Sequence, residues 1–237
     1  MACNGAILTV ENISKQFGGV QALRGVTLAI PEGRIVGLIG PNGSGKTTLF
    51  NLITGLVRPT SGRVLFRDTD ISRLETHRIN QLGIARTFQL TRLFGQMTAQ
   101  ENMLVVGRQD DAANLARAAD LLDFVQLQDV RHEYAANLSY GQQKLLEFAR
   151  LLMVDPSLIL LDEPFAGVNP TMAQRLLGRL EALVNQGKTL FVTDHEMKTM
   201  MTICSEIFVL DYGQLIAHGE PRSIQADARV MEAYFGR

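Results

Sequence analysis

At 237 residues, with 46% hydrophobic and 20% charged residues, the chain has the composition of a folded globular protein and not of a disordered one. Its 23 Lys and Arg against 24 Asp and Glu leave a net charge of -1, so no overall field draws nucleic acid or anionic lipid, and no nucleic-acid partner is expected. Cys3 and Cys204 show no C-x-x-C spacing, which excludes a disulfide framework or zinc site and fits a reducing compartment, and no apolar run approaches the roughly 20 residues of a membrane span, so any membrane role must come from partners.

In chain order, residues 7–10 and 26–30 predict strands, the second closed by the turn Pro31-Glu32-Gly33. Residues 35–39 form a continuous apolar run, too short for a helix and suited to a strand buried on both faces. A glycine-rich loop follows, and then Leu49, Leu52, Ile53 and Leu56 recur at helical spacing, with Gly55 near the helix end. Residues 63–66 and 84–88 predict two more strands.

From Thr98 the pattern turns helical. Thr98 and Glu101 have the spacing of a capping box, and residues 112–125 are rich in Ala and Leu. Ser139 and Gln142 make a second capping box before a helix whose buried face is Leu145, Phe148, Ala149 and Leu152. Residues 158–161, 189–192 and 207–210 are further buried-strand runs, and Asn169-Pro170 opens a helix with the stripe Ala173, Leu176, Leu177 and Leu180. Met197, Met200, Met201 and Cys204 recur at helical spacing; soft donors of this kind can hold copper, but the stripe is assigned to core packing. The expected fold is α/β, a mostly parallel sheet covered by helices, with an N-terminal β region and a short helical insert.

Three segments carry chemistry. Gly40-Pro41-Asn42-Gly43-Ser44-Gly45-Lys46-Thr47 fits G-x-x-x-x-G-K-[ST] between a predicted strand and a predicted helix, where a phosphate loop belongs. Residues Asn42, Gly43, Ser44, Gly45, Lys46, Thr47 and Thr48 are the expected ATP contacts: backbone N–H groups converge on phosphate oxygens, the Lys46 ammonium neutralises them, and the Thr47 hydroxyl is offered to Mg²⁺. Asp162 and Glu163 follow a buried strand at the crevice end of the sheet, where Asp162 suits Mg²⁺ and Glu163 suits orientation of an attacking water. Ser139-Tyr140-Gly141-Gln142 joins a hydroxyl, glycine amides and a helix tip into an anion site that lacks its own lysine, so its phosphate must come from elsewhere.

In this order, the phosphate loop, Gln89, Leu138-Ser139-Tyr140-Gly141-Gln142, Leu161-Asp162-Glu163-Pro164 and His195 resemble the motifs of ABC ATPases, from Ile7 to about Tyr234. Gly83-Ile84-Ala85-Arg86-Thr87-Phe88-Gln89, Arg92-Leu93-Phe94, Ala166-Gly167-Val168-Asn169-Pro170 and Ala233-Tyr234-Phe235-Gly236 resemble the ATP-binding subunits of branched-chain amino-acid importers. The resemblance implies a single ABC ATPase domain, with residues 1–89 and 154–237 forming the nucleotide-binding core and β region and residues 90–153 the helical subdomain. It implies Phe17 stacked on adenine with Val20 beside it, Gln89 at the Mg²⁺ and water site, and His195 as the switch histidine on the γ-phosphate. Ser139, Gly141, Gln142 and Asn169 would contact the ATP of an opposite subunit, identical or paralogous. Leu90, Leu93, Phe94 and Met97 would receive a cytoplasmic helix of an integral membrane permease, which in turn takes its solute from a periplasmic or extracellular binding protein. The implied place is the cytoplasmic face of the cell membrane.

The sequence departs from that branch in one respect: only 49 residues separate Gln89 from Ser139, a shortened helical subdomain. Tyr140 stands where ABC proteins in general carry glycine. Among other readings, a small-molecule kinase has no need of the Ser139 element and a GTPase would carry an N-K-x-D segment that is absent, while the alternatives that stay open are an ABC ATPase powering transport of another substrate and a soluble non-transport ABC ATPase, which usually carries a second cassette or a long coiled coil.

Overall fold

The computed structural model describes residues 5–87, 93–107, 111–194 and 197–235. The first strands, β1 (Ala6–Phe17) and β2 (Val20–Pro31), form an antiparallel hairpin with Phe17 opposite Val20 at its tip. Both are 12 residues long, well beyond the short apolar runs visible in the sequence, because their outer residues are polar or exposed and extend the ladder without adding hydrophobic pattern. Next come β3 (Ile35–Ile39), α1 (Lys46–Ile53), β4 (Ser61–Phe66), β5 (Thr69–Asp70), α2 (Thr76–Leu82) and β6 (Ile84–Arg86). Leu56 does not share the buried face of α1: Gly55 takes φ +70°, where a Cβ would lie 2.7 Å from the Leu74 carbonyl oxygen, so the helix stops and Leu56 is exposed. The strand expected over 84–88 ends at Arg86, and residue 88 lies outside the described residues.

The helical segment contains α3 (Ala99–Leu104), α4 (Asp111–Phe124) and α5 (Tyr140–Leu152). Both expected capping boxes form, Thr98 with Glu101 and Ser139 with Gln142, and each satisfies N-terminal amides that would otherwise be orphaned. The chain returns through β7 (Leu158–Asp162), α6 (Pro170–Asn185), capped by Asn169, then β8 (Thr189–Thr193), α7 (Met197–Ile203) and β9 (Glu206–Asp211). It closes with β10 (Gln214–Gly219), α8 (Pro221–Ala226) and α9 (Ala228–Phe235), none of which has an apolar run strong enough to be read from sequence.

The six-stranded sheet has the order β10-β9-β3-β8-β7-β6, and every pairing except β10 with β9 is parallel. Its central strands feed two cores. Val36, Leu38, Leu158, Leu160, Phe191, Phe208 and Leu210 face α1 and the antiparallel sheet β2-β1-β4-β5. Ile35, Ile39, Ile159, Leu161, Leu190, Val192, Ile207 and Val209 face the helices from α3 onward. That period-two division explains the continuous apolar runs: both faces of the sheet are covered.

Met200 and Cys204 are buried in the second core, with Met197 and Met201 packed against it, and no group of three or more His, Cys, Asp and Glu gathers as a metal site among the described residues. The stripe is packing. Burial also pushes the Cys204 thiol up to about 12, which keeps it protonated and unreactive. Helix α7 comes so close to β3 that a Cβ on Gly37 would meet Cys204 Sγ at 2.9 Å, Met200 Cε at 3.0 Å and Ile207 Cγ1 at 3.1 Å. Gly37→Ala should therefore overpack this seam, destabilising the fold by about 1–3 kcal/mol and lowering Tm by roughly 3–10 °C; a thermal melt within 1 °C of the wild type, on the order of the measurement error, would refute this packing.

Candidate nucleotide site

The loop between β3 and α1 is shaped by space. Gly43 and Gly45 take φ +78° and +109°, and a Cβ at Gly45 would lie 2.7 Å from Leu23 and 2.8 Å from the Ala22 carbonyl oxygen. A Cβ at Gly40 would overlap the Leu210 carbonyl oxygen. Helix α1 begins at Lys46 with no side-chain cap and no acidic residue in its first turn, so its leading N–H groups remain available to an anion. Asn42, Gly43 and Thr47 are exposed, Thr48 is half-buried, and Ser44 is buried with its N–H donated to the Pro41 carbonyl at 3.1 Å.

Lys46 is also buried. Its ammonium donates to the carbonyl oxygens of Gly40 at 2.7 Å and Pro41 at 3.0 Å, so the side chain curls over the loop that carries it. Burial holds its pKa below the ordinary lysine value, while the negative charges of Glu163 and Asp162 pull it back up. Lys46 of the phosphate loop and the two carboxylates therefore share one local field.

Asp162 ends β7 and is almost wholly buried, as is the partner it meets there, Arg86 at the end of β6. The guanidinium donates to the Asp162 carboxylate at 2.7 Å and to Asn51 Oδ1 of α1 at 2.6 Å, and lies over the Phe50 ring at 5.4 Å. Asp162 also donates its backbone N–H to the Thr87 hydroxyl at 3.2 Å. Glu163 takes φ +50°, an uncommon left-handed conformation for a side-chain-bearing residue, which costs of order 1–3 kcal/mol. Its N–H donates to the Thr193 carbonyl at 2.7 Å, and two residues later the Phe165 N–H donates to the buried Asp194 carboxylate at 3.2 Å. These contacts hold the turn that presents Glu163.

Sequence reasoning missed Arg86, Asp194 and Asn51. Arg86 stood within the motif that carried the family resemblance, yet its partner lies 76 residues away. Gln89 and His195 lie outside the described residues, as does Leu90. Phe17 is 47% exposed at the hairpin tip beside the still more open Val20, so it is not a core aromatic between strands; the Lys15 ammonium lies 4.8 Å from its ring centre.

The elements that carry Ser139 and Asn169 pack against each other. The Ser139 side chain is exposed, its hydroxyl accepting the Gln142 N–H at 3.4 Å while Gln142 Oε1 accepts the Ser139 N–H at 2.9 Å. A Cβ on Gly141 would meet Met172 of α6 at 3.0 Å, and one on Gly167 would meet the Tyr140 ring at 3.2 Å. The tip of α5 and the loop leading to Asn169 therefore pack as one unit, with Asn169 exposed and its side chain accepting the Met172 N–H at 2.9 Å.

The family model described as ABC transporter matches residues 23–166, and the model described as branched-chain amino acid ATP-binding cassette transporter matches residues 214–237. The high-affinity branched-chain amino acid transport ATP-binding proteins LivG of Escherichia coli (strain K12) and BraF of Pseudomonas aeruginosa are each 37% identical over 97% of this chain and 98% of their own length. A nucleotide-free ATP-binding cassette from an ABC transporter superposes with a TM-score of 0.90 at 33% identity, covering 98% of this chain and 100% of that one. A dimeric cassette in a post-hydrolysis state, bound to ADP and Pi, superposes with a TM-score of 0.81 at 28% identity over 91% of this chain and 99% of its own. The chain belongs to the ABC transporter family, as one of its ATP-hydrolysing, ATP-binding subunits.

The Arg86–Asp162 pair gives a test of this geometry. Arg86→Met leaves a carboxylate buried without its cation and should cost about 3–5 kcal/mol of stability, read from the urea midpoint. A loss below about 1 kcal/mol, the usual worth of an exposed pair, would mean that the two groups do not meet as described.

Proposed function

We propose that this chain powers import of branched-chain or other hydrophobic amino acids, by ATP-driven closure of a head-to-tail pair of ATPase subunits beneath a membrane permease. The end-to-end similarity to LivG and BraF carries the solute class. No helix among the described residues is long and apolar enough to cross a membrane, in keeping with a subunit held at the cytoplasmic face of the inner membrane by permease partners, with a solute-binding protein acting on the far side. The whole chain acts as one ATPase domain, residues 1–89 and 154–237 holding nucleotide and residues 90–153 reaching towards the permease. Exposed Phe94 and Met97 support that direction of contact.

In this reading Phe17 and Val20 seat the adenine, residues 42–48 wrap the phosphates, and Lys46 leaves its own loop carbonyls for the β- and γ-phosphate oxygens. The oxygen donors Thr47 and Asp162, with Gln89, fit the coordination preference of Mg²⁺, which would add Lewis-acid stabilisation of the transferring phosphoryl group. Glu163 orients and polarises the attacking water, and His195 holds the γ-phosphate in line. Ser139, Gly141, Gln142 and Asn169 complete the site of the opposite subunit. The exposure of Ser139 and Asn169, on elements that pack against each other, supports a site divided between two chains. ATP closes the pair because its γ-phosphate binds both halves, whereas ADP lacks the bridging group.

Loss of Leu, Ile and Val uptake in cells lacking the chain, with permease proteins co-purifying in wild-type membranes, is the expected result; unchanged uptake of all three would exclude the solute class. Glu163→Gln should retain ATP binding, accumulate as a dimer by size exclusion with ATP, and lose hydrolysis by about 10²-fold or more. Turnover at the wild-type rate would remove Glu163 from the mechanism. Lys46→Ala should weaken ATP binding roughly 10-fold to 100-fold, the worth of a charge-assisted contact, and an unchanged affinity in a fluorescent-nucleotide titration would defeat the phosphate-loop assignment.

A further inference from the structure

Strand β8 reaches the crevice with two acceptors that hold the segment following β7. The first is the Thr193 carbonyl, which takes the Glu163 N–H at 2.7 Å. The second is the side chain of Asp194, the residue just past the strand, whose Oδ2 accepts the Phe165 N–H at 3.2 Å. Asp194 is only 1% exposed, and a carboxylate withdrawn from water to that degree is costly unless donors meet it. The segment itself is tightly wound: the Ala166 N–H donates to the Glu163 carbonyl at 3.2 Å and the Val168 N–H to the Phe165 carbonyl at 3.4 Å, while the Phe165 ring is buried in the helical core. Within it Glu163 keeps φ +50°, a conformation that persists at a side-chain-bearing residue only when its surroundings impose it. The Thr193 bond pins a single nitrogen, about which the turn is still free to rotate towards an unstrained shape. The Asp194 bond, two residues on, removes that freedom. The far end of the loop is held separately, by Asn169 capping α6.

We propose that Asp194 is a positioning residue for ATP hydrolysis: by accepting the Phe165 N–H it locks the turn in which Glu163 is left-handed, so that the Glu163 carboxylate stays aimed at the attacking water. Asp194 acts through the main chain of the turn and needs no contact with the nucleotide. Displacing a reacting group by about 1 Å can cost on the order of 10²-fold in rate, so a single buried hydrogen bond behind Glu163 carries weight in turnover and little in ATP binding. The inference rests on Glu163 being the group that orients the water, and it deepens that reading by naming what holds Glu163 in place.

Asp194→Ala in the full-length chain removes the acceptor, whereas Asp194→Asn keeps an oxygen at nearly the same place. Beside wild type and Glu163→Gln, Asp194→Ala should lower kcat about 10-fold to 100-fold, with KM for ATP and the dissociation constant of a fluorescent ATP analogue within about twofold. Because ATP is then bound and only slowly consumed, the variant should also accumulate as a dimer with ATP by size exclusion, as Glu163→Gln is expected to. Asp194→Asn should recover kcat to within about threefold of wild type, since it still accepts the Phe165 N–H. Hydrogen exchange in Asp194→Ala should quicken in the peptide carrying residues 161–168 and stay unchanged over residues 40–48. A general loosening would instead raise KM and spread the faster exchange to residues 40–48, which overturns the proposal. So does wild-type kcat in Asp194→Ala, loss of the ATP-dependent dimer, or an Asp194→Asn as slow as Asp194→Ala. Should Asp194→Ala fail to fold, Asp194→Ser takes its place under the same expectations, and the wild type decides in either case: a Phe165 amide that exchanges as fast as exposed loop amides refutes the contact. If Glu163→Gln turns over at the wild-type rate, the reading of Glu163 fails; if it binds ATP without turnover and Asp194→Ala is silent, only the role of Asp194 falls.

Discussion

Between Ile39 and Lys46 the chain has to turn through space that leaves little room for side chains. Gly40 is closed in by the Leu210 carbonyl, Gly45 by Leu23 and the Ala22 carbonyl, and all three glycines of the loop adopt positive φ angles. The loop can therefore take few shapes, and the one it takes aims the uncapped start of α1 outward beside Asp162 and Glu163. Everything chemical in the molecule is arranged around that constraint. Strand β3 delivers the loop, β7 and β8 bring the carboxylates to the same edge, and α1 anchors Arg86 through Asn51.

The pairing of Arg86 with Asp162 shows how a buried acid is accommodated. An isolated carboxylate at that depth would be costly to ionise, and a guanidinium that reaches both Asp162 and Asn51 satisfies it while fixing its rotation. Glu163, one residue on, is handled differently. It is turned by a left-handed backbone and held by its own N–H on the Thr193 carbonyl, with the Phe165 N–H on the Asp194 carboxylate fixing the turn beyond it, and the acid itself is only half-buried.

Much of this was legible because the signals are local. A phosphate loop is defined by eight consecutive residues, and the capping boxes of Thr98 and Ser139 by four, so spacing alone finds them. The parallel sheet was legible from runs such as residues 158–161, where two-sided burial leaves no polar alternation. The rest depends on distance in sequence. Arg86 meets Asp162 across 76 residues and Phe165 meets Asp194 across 29, and neither partner marks the other. Strand β10 was missed because it is an antiparallel edge strand with mixed burial, and Leu56 was misplaced because the turn at Gly55 outweighs helical spacing.

The division of the central strands between two cores has a mechanical meaning. Strands β3, β7, β8 and β9 carry buried residues on both sides, so opening any one of them would expose both layers at once, at a free energy near that of unfolding the whole. Such a plate does not bend to accommodate a ligand. Work done at its edge is transmitted to whatever rests on it, and the yielding parts of the subunit are to be sought among the peripheral helices and loops.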